Sequence, residues 1–316
     1  MIEPTVLIRA VCHHWSGYMS DHNASLDDHH RAPIIGYHRA SLSQKFGAPR
    51  QPNLVALTSV IEMLAPYDTP AAFIGLEAFS HIWISWQFHH NYVDKTNQAS
   101  KDKQVNKADS SFRPQVRPPR LGGNQKIGVF ASRSMYRPSA LGLSVVKFER
   151  IEIVQGRVLL IISGADMIDG TPIIDIKPYV AYSDALVHAK SGFAPSAPMS
   201  LDVTITEFAY HQFTQMVVNQ QPYKEPSEPY TVAVVIDKVR TQLIRSDLDA
   251  IKALIAQDPR PAYRRAEVNK QFVMRYRCVD VSFQLIESGQ RVAHSVCRFY
   301  LYQFTDIIKR LVCKKF

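Results

Sequence analysis

The chain contains 316 residues, of which 46% are hydrophobic and 21% are charged, so it can bury a large core and form two domains. Its 37 lysine and arginine residues outnumber its 28 acidic residues, and the formal charge of +9 favours an anionic partner such as RNA, DNA or an acidic lipid surface. No apolar run reaches the roughly eighteen residues of a membrane-spanning helix. We therefore expect a cytoplasmic protein with no membrane partner.

Cysteine and histidine residues lack the spacing of a disulfide framework or a metal site. The four cysteines form no C-x-x-C pair, which predicts free thiols in a reducing compartment. Residues 1–31 are rich in histidine and have no clear periodicity, so we expect an N-terminal extension there. Cys12, His13 and His14 are suitable zinc ligands, but neighbouring histidines rarely point at one ion. The favoured interpretation has no metal.

The first half of the chain has a pattern typical of a β-rich domain. Short apolar runs at residues 143–148, 158–163 and 173–176 are separated by glycine and proline. Residues 94–113 are polar and charge-dense, which predicts a surface insertion, because such a composition cannot form a core. We place the first domain at residues 32–185.

A smaller α+β domain is predicted at residues 200–316, after a proline-containing connector at residues 186–199. Ser246 and Asp249 resemble a capping pair that opens a helix, and this helix should end before Pro259. Its apolar face is formed by Leu248, Ile251, Leu254 and Ile255.

A β-hairpin is predicted near the end of the chain. Apolar and polar residues alternate over residues 279–285, Ser288 and Gly289 form a turn, and residues 292–300 run back. The fold class expected for the whole chain is therefore mainly β.

The window from Arg113 to Arg137 is the most unusual part of the sequence. Its 25 residues hold six basic side chains and no acidic one. Gly122, Gly123 and Gly128 allow the backbone to approach a ligand closely. This window is suited to bind phosphates, although composition alone fits a solvated basic face equally well.

Two other clusters carry groups capable of proton transfer. Asp166, Asp169 and Asp175 lie on tight turns, where aspartate forms turns more often than it catalyses reactions. His81 lies between Phe79 and Trp83, and it is as consistent with a structural histidine as with a base. None of these strings is a phosphate-binding loop or a nucleophile elbow.

Several strings taken together closely resemble the TrmO (YaeB) family of tRNA methyltransferases. The resemblance covers about residues 34–183 and resumes at residues 256–264. The strings are Ala48-Pro49-Arg50-Gln51-Pro52, GLEAFSHIWI from Gly75, Phe88-His89, VRPPRLGGN from Val116, IGVFASRS from Ile127, GLSVV from Gly142, DMIDGTPIIDIKPY from Asp166 and AQDPRPAYR from Ala256.

The resemblance implies a fold, a reaction and an assembly. It implies a small β-barrel methyltransferase domain followed by a smaller α+β C-terminal domain. The implied reaction transfers a methyl group from S-adenosylmethionine to N6 of threonylcarbamoyl-adenosine, beside the anticodon of threonine tRNA. The family's assembly is a homodimer, with the cofactor near the subunit interface.

The resemblance also implies which residues contact the cofactor. They are Pro49, Arg50, Gln51, His89, His90, Arg133, Leu143, Asp166, Met167, Ile168, Asp169 and Gly170. Arg133 suits the cofactor carboxylate, aspartate oxygens suit the sulfonium, and Met167 and Ile168 suit the adenine. The proton acceptor is left open among His89, Asp166 and Asp169.

Two groups of residues are predicted to hold the tRNA. Arg113, Arg117, Arg120 and Lys126 belong to the basic window and would contact phosphates. Asp258, Arg260 and Tyr263 follow the predicted helix. There, two prolines should present the Arg260 guanidinium as a pre-set cation, and Tyr263 should stack on a base.

Two other functions compete with methyl transfer. A non-catalytic RNA-binding β-barrel explains the charge but not the acidic turn after residue 164. A metal-dependent nuclease or phosphodiesterase requires clustered histidines and aspartates, and no H-x-x-x-H or H-x-D pair occurs in the matching regions.

Overall fold

The computed structural model describes residues 32–89, 113–220, 230–288 and 291–301 of the chain. The predicted extension at residues 1–31 and almost all of the predicted insertion lie outside these residues. No helix within the described ranges has the length and apolar character that a membrane crossing requires.

Six strands in the described part of the chain form a closed antiparallel barrel, in the order β1-β2-β7-β6-β3-β8. They are β1 (Gly36–Arg39), β2 (Thr58–Met63), β3 (His81–Gln87), β6 (Leu141–Val154), β7 (Arg157–Ser163) and β8 (Pro172–Pro178). A short hairpin of β4 (Gln115–Val116) and β5 (Ile127–Gly128) lies between β3 and β6 and carries much of the basic window. The three predicted strands therefore correspond to β6, β7 and β8.

The alternation of side chains explains why these segments form a barrel. In β3, Ile82, Ile84 and Trp86 are buried in the barrel core, whereas the intervening residues are only half-buried. His81, the first residue of β3, is half-buried and forms a hydrogen bond with the Ser80 hydroxyl at 2.9 Å. It is therefore not a fully buried histidine. By contrast, β7 is buried on both faces because a helix covers its outer side.

The rest of the described chain forms a second, mixed α and β region. Its elements are β9 (Asp202–Ile205), α2 (Glu207–Asn219), α3 (Val232–Thr241), α4 (Asp247–Ala256), β10 (Gln271–Tyr276), β11 (Val279–Ser288) and β12 (Arg291–Leu301). The short helix α1 (Ala181–Asp184) instead follows β8 and contacts the barrel, because Trp83 Nε1 donates to Asp184 at 2.8 Å. The sheet order is β10-β11-β12-β9, with β9 parallel to β12. The predicted hairpin is β11 and β12, and the expected fold class is confirmed.

The loop between β1 and β2 joins the barrel to this second region. Leu42, Val55 and Leu57 are buried in the core that α2, α4 and the second sheet form. Phe46 stacks against Phe272 and Phe283, with ring centroids 6.4 and 6.3 Å away. The barrel and the second sheet accordingly belong to one compact unit.

The start of α4 corrects one detail of the sequence interpretation. The helix is present and ends at Ala256, before Pro259, as predicted. Ser246, however, makes no capping hydrogen bond with its side chain. The Asp247 carboxylate instead accepts from the Ile244 amide at 2.8 Å and from the Tyr276 hydroxyl at 2.6 Å. The predicted capping pair is wrong because this buried network holds the first turn.

Gly142 gives a test of barrel packing. A Cβ at this position would overlap the Trp86 ring, which cannot move away easily because its Nε1 donates to Ser144 and its ring lies 4.4 Å from Phe88. We expect Gly142→Ala to lower the free energy of unfolding by about 1–3 kcal/mol, measured by urea titration. Gly128→Ala is the matched control, since a Cβ there meets nothing within 4 Å. Equal stability of the two variants would contradict this packing.

Candidate functional site

Three of the predicted cofactor residues converge from distant segments of the chain. Gln51 lies in the loop after β1, Arg133 follows β5, and Asp166 follows β7. An Arg133 guanidinium nitrogen donates to Gln51 Oε1 at 2.7 Å. The same guanidinium is close enough to Asp166 to oppose protonation of its carboxyl group. We call Gln51, Arg133 and Asp166 the central cluster.

Asp166 is held by a short chain of hydrogen bonds. The Ser144 hydroxyl donates to Asp166 Oδ1 at 2.6 Å and accepts from Trp86 Nε1 at 2.9 Å. Burial raises the pKa of Asp166 above its usual value, although the Ser144 hydrogen bond and the Arg133 charge act in the opposite direction. A raised pKa makes this carboxylate a better proton acceptor than an exposed aspartate.

Asp169, three residues further on, is paired with an arginine. Its Oδ1 accepts from the Ala40 amide at 3.1 Å and from Arg240 Nε at 2.9 Å. A second Arg240 nitrogen lies 2.8 Å from Oδ2. An aspartate whose two oxygens hold an arginine is not poised to take a proton from a substrate. Asp169 is therefore less suited than Asp166 to accept a proton, and its role as the proton acceptor stays a prediction.

His38 is a buried residue beside the candidate site that the sequence interpretation did not single out. It is buried in β1, and its Nδ1 donates to the Ile168 carbonyl at 3.1 Å while its Nε2 accepts from the Ser59 hydroxyl at 2.8 Å. Its backbone carbonyl also accepts from the Gly170 amide at 2.8 Å. Gly36 and His38 are buried on the same face of β1, and no motif in the sequence marks this position. His38 thus fixes the turn that follows Asp166.

The remaining predicted cofactor residues divide into four groups. Ile168 and Gly170 are half-buried on the turn, and a Cβ built on Gly170 would lie 4.0 Å from His89 Nε2. Leu143 is 51% exposed on β6. Met167 packs in the barrel core at 3% exposure, so its side chain offers little surface to an adenine, and its contact with the cofactor stays a prediction. His90 lies outside the described residues.

The loop that carries Pro49 and Arg50 contacts the second region. Pro49 is buried, and an Arg50 guanidinium nitrogen donates to the carbonyl oxygens of Asp258 and Arg260 at 3.2 and 3.0 Å. Two segments predicted to serve different ligands, cofactor and tRNA, are therefore in direct contact.

Arg260 is not the exposed cation that its flanking prolines suggested. Its side chain is 1% exposed and forms two hydrogen bonds to the Asp258 carboxylate, at 2.7 and 3.1 Å. A third bond, of 3.1 Å, runs to the Glu267 carbonyl. The expected presentation of Arg260 as an exposed cation is wrong, because its charge is paired with that of Asp258 inside the protein. The contacts of Arg260 and Asp258 with tRNA stay a prediction. Tyr263, in contrast, is 84% exposed.

The four basic residues predicted to bind phosphates are exposed. Arg113 lies over the Tyr136 ring at 4.6 Å, and Arg120 donates to Ser196 at 3.5 Å. Among the described residues, no ion pair neutralises Arg113, Arg117, Arg120 or Lys126. A Cβ built on Gly123 would lie 3.7 Å from Ala262 Cβ, so the basic window adjoins the loop of Tyr263. Within the described ranges, no group of three or more histidine, cysteine, aspartate and glutamate side chains is arranged to hold a metal ion.

The barrel and its converging loops have the fold of a tRNA methyltransferase family, as comparison with known protein families shows. The tRNA-methyltransferase O N-terminal domain matches residues 37–185, and the TrmO C-terminal domain matches residues 234–295. The chain belongs to the TrmO family, as the sequence strings predicted.

The similarity extends over nearly the whole length of individual relatives. The chain is 38% identical over 253 residues to a putative S-adenosylmethionine-dependent methyltransferase, RcsF, of Pseudomonas aeruginosa, covering 80% of this chain and 91% of the relative. It is 35% identical over 260 residues to the tRNA (adenine(37)-N6)-methyltransferase of Escherichia coli, covering 79% and 94%. The crystal structure of TrmO from Pseudomonas aeruginosa superposes with a TM-score of 0.60 at 27% identity, covering 86% of this chain and 98% of that one.

The buried His38 predicts a specific dependence of stability on pH. Burial lowers the pKa of His38 from 6.5 to about 4, so between these values the unfolded chain binds a proton that the folded chain does not. Stability should fall as the pH drops through this window, by an amount on the order of 3 kcal/mol for this residue.

We expect His38→Gln to be less stable than the wild type at neutral pH but to lose less stability on acidification, as measured by urea unfolding. Ser59→Ala is the control, because it removes the Nε2 partner and keeps the titrating imidazole. A His38→Gln variant that follows the wild-type pH profile would overturn the assignment.

Proposed function

We propose that this protein methylates N6 of threonylcarbamoyl-adenosine next to the anticodon of threonine tRNA, with S-adenosylmethionine as the methyl donor. The adenosine N6-methyltransferase activity is that of the TrmO family to which the chain belongs. The observation that carries the proposal is the central cluster, in which Gln51, Arg133 and Asp166 come together from three separate segments.

The residues around the central cluster fit the chemical groups of the methyl donor. The donor carries a carboxylate, a sulfonium and an adenine, and it supplies an electrophilic methyl group. Arg133 is exposed and cationic, which suits the carboxylate. The backbone of Ile168 and Gly170, together with Leu143 and His89, offers polar and apolar contacts for the remainder. Pro49, Arg50 and His90, which the resemblance assigns to the cofactor, complete the set of residues proposed for the donor site.

Asp166 is the proton acceptor that we propose. The attacking N6 nitrogen is urea-like, so its proton must leave as the new bond to carbon forms. Burial raises the pKa of Asp166, whereas Asp169 is held by Arg240. His89, close to Gly170, is the second candidate. The protein also excludes water and aligns the reacting atoms, which is where most of the acceleration arises.

We propose that the basic window and the Tyr263 loop together hold the anticodon arm. Arg113, Arg117, Arg120 and Lys126 are exposed, and Tyr263 is available to stack on a base, an interaction typically worth about 1–3 kcal/mol. The proposal includes a homodimer located in the cytoplasm and a division into domains at residues 32–185 and 200–316.

Calorimetry with S-adenosylmethionine tests the donor site. We expect Arg133→Ala to weaken binding by about tenfold to a hundredfold, because a hydrogen bond to a charged group contributes roughly 1.5–3 kcal/mol. Lys126→Ala, in the same window, should keep the wild-type affinity. An unchanged dissociation constant for Arg133→Ala would exclude Arg133 from the site.

Methylation assays test the acceptor. We expect transfer to threonine tRNA that carries the threonylcarbamoyl group and little transfer to the same tRNA without it. Equal methylation of both would refute the substrate. Salt-dependent tRNA binding without any methyl transfer would instead support the non-catalytic RNA-binding protein.

The salt dependence of tRNA binding tests the basic window. Removing one cation that neutralises a phosphate should reduce the slope of log affinity against log salt by about 0.7 to 0.9. We expect this reduction for Arg117→Ala. Lys252→Ala, at an exposed position on α4, should leave the slope unchanged. Identical slopes for the wild type and Arg117→Ala would remove Arg117 from the interface.

A further inference from the structure

Helix α3 belongs to the C-terminal region but packs on the outside of the barrel. Its residues Val232, Val235 and Ile236 are buried in one cluster with Val60, Leu159 and Ile161 of β2 and β7. Thr231 caps the helix, with its hydroxyl accepting from the Val234 amide at 3.3 Å. The position of the last helical turn relative to the barrel is therefore fixed by apolar packing.

Arg240 extends from this last turn to the turn after Asp166. Its guanidinium meets both oxygens of Asp169, at 2.9 and 2.8 Å. Arginine presents two parallel donors in a rigid fork, so the contact sets the orientation of the carboxylate as well as its position.

The Asp169 turn is held at several other points. The Asp169 amide donates to the Leu42 carbonyl at 2.7 Å, and the Ala40 amide donates to the Asp169 carboxylate at 3.1 Å. Both contacts come from the loop after β1. Arg240 is the contact that comes from the C-terminal region.

We propose that Arg240 is a positioning residue of the methyl-donor site, acting through Asp169. This inference rests on the proposed function, in which Asp166, Ile168 and Gly170 of the same turn contact the donor. The C-terminal region then does more than hold tRNA, since it also sets the shape of the cofactor turn.

A second contact between the same regions supports this role. Arg50, in a predicted cofactor segment, donates to the Asp258 and Arg260 carbonyls. The buried pair of Arg260 with Asp258 fixes the backbone that carries these acceptors. Two cofactor segments of the barrel are thus attached to the C-terminal region by arginines.

The test compares Arg240→Ala with Arg157→Ala. Both arginines are 37% exposed and both pair with acidic residues, but Arg157 contacts Glu62 and Asp68. We expect the two variants to lose similar thermal stability, while Arg240→Ala alone weakens S-adenosylmethionine binding, by about tenfold in calorimetry. Arg240→Lys, which keeps the charge and removes the fork, should recover only part of the affinity.

A double-mutant cycle separates positioning from direct contact. If Arg240 acts through Asp169, Arg240→Ala should have little further effect on donor affinity in an Asp169→Asn background. Additive losses would mean that Arg240 acts independently of Asp169, which overturns the proposal.

The failure of this inference can be told apart from that of the proposed function. If wild-type protein does not bind S-adenosylmethionine, the proposed function fails and the inference fails with it. If the wild type binds and Arg133→Ala is impaired, but Arg240→Ala matches Arg157→Ala in affinity, only the inference is wrong.

Discussion

The structure depends on the loop at residues 40–57, which connects two barrel strands but packs in the core of the second region. The strands on either side of residues 40–57 are part of the barrel, yet Leu42, Val55 and Leu57 are buried with the second sheet. The flanking barrel strands and the burial of these apolar side chains together leave the loop little conformational freedom. The short segment Pro49 to Gln51 is carried on this loop. Its contacts with Arg133 and with the backbone near Arg260 follow from where the loop is held.

Electrostatics divide the charged residues into structural and functional groups. Asp169, Asp258 and Asp247 are each paired with a buried or half-buried arginine, and such pairs hold loops together. Arg113, Arg117, Arg120 and Lys126 of the basic window are exposed, so these charges remain available to an anionic partner. Asp166 differs from both groups, because it is partly buried, accepts from a hydroxyl and feels the charge of Arg133.

The sequence predicted those features of the fold that local interactions determine. The alternation in β11 and the apolar face of α4 follow from the periodicity of strand and helix, and both were found. The burial of Arg260 and Met167 was not predicted, because it depends on residues far away in the sequence or on the closed barrel. Arg133 and Asp166 were assigned to the cofactor site only through the family resemblance. His38 was missed, because nothing local distinguishes a histidine that bonds a distant carbonyl.

The packing of α3 against the barrel makes the two halves of the molecule thermodynamically coupled. Any ligand whose binding shifts α3 must also change the orientation of Asp169, because one arginine fork joins them. Coupling of this kind is reciprocal, so the ligand of the turn must alter the affinity of the other ligand by the same factor. Each ligand would then change the affinity of the other equally, whichever of the two binds first.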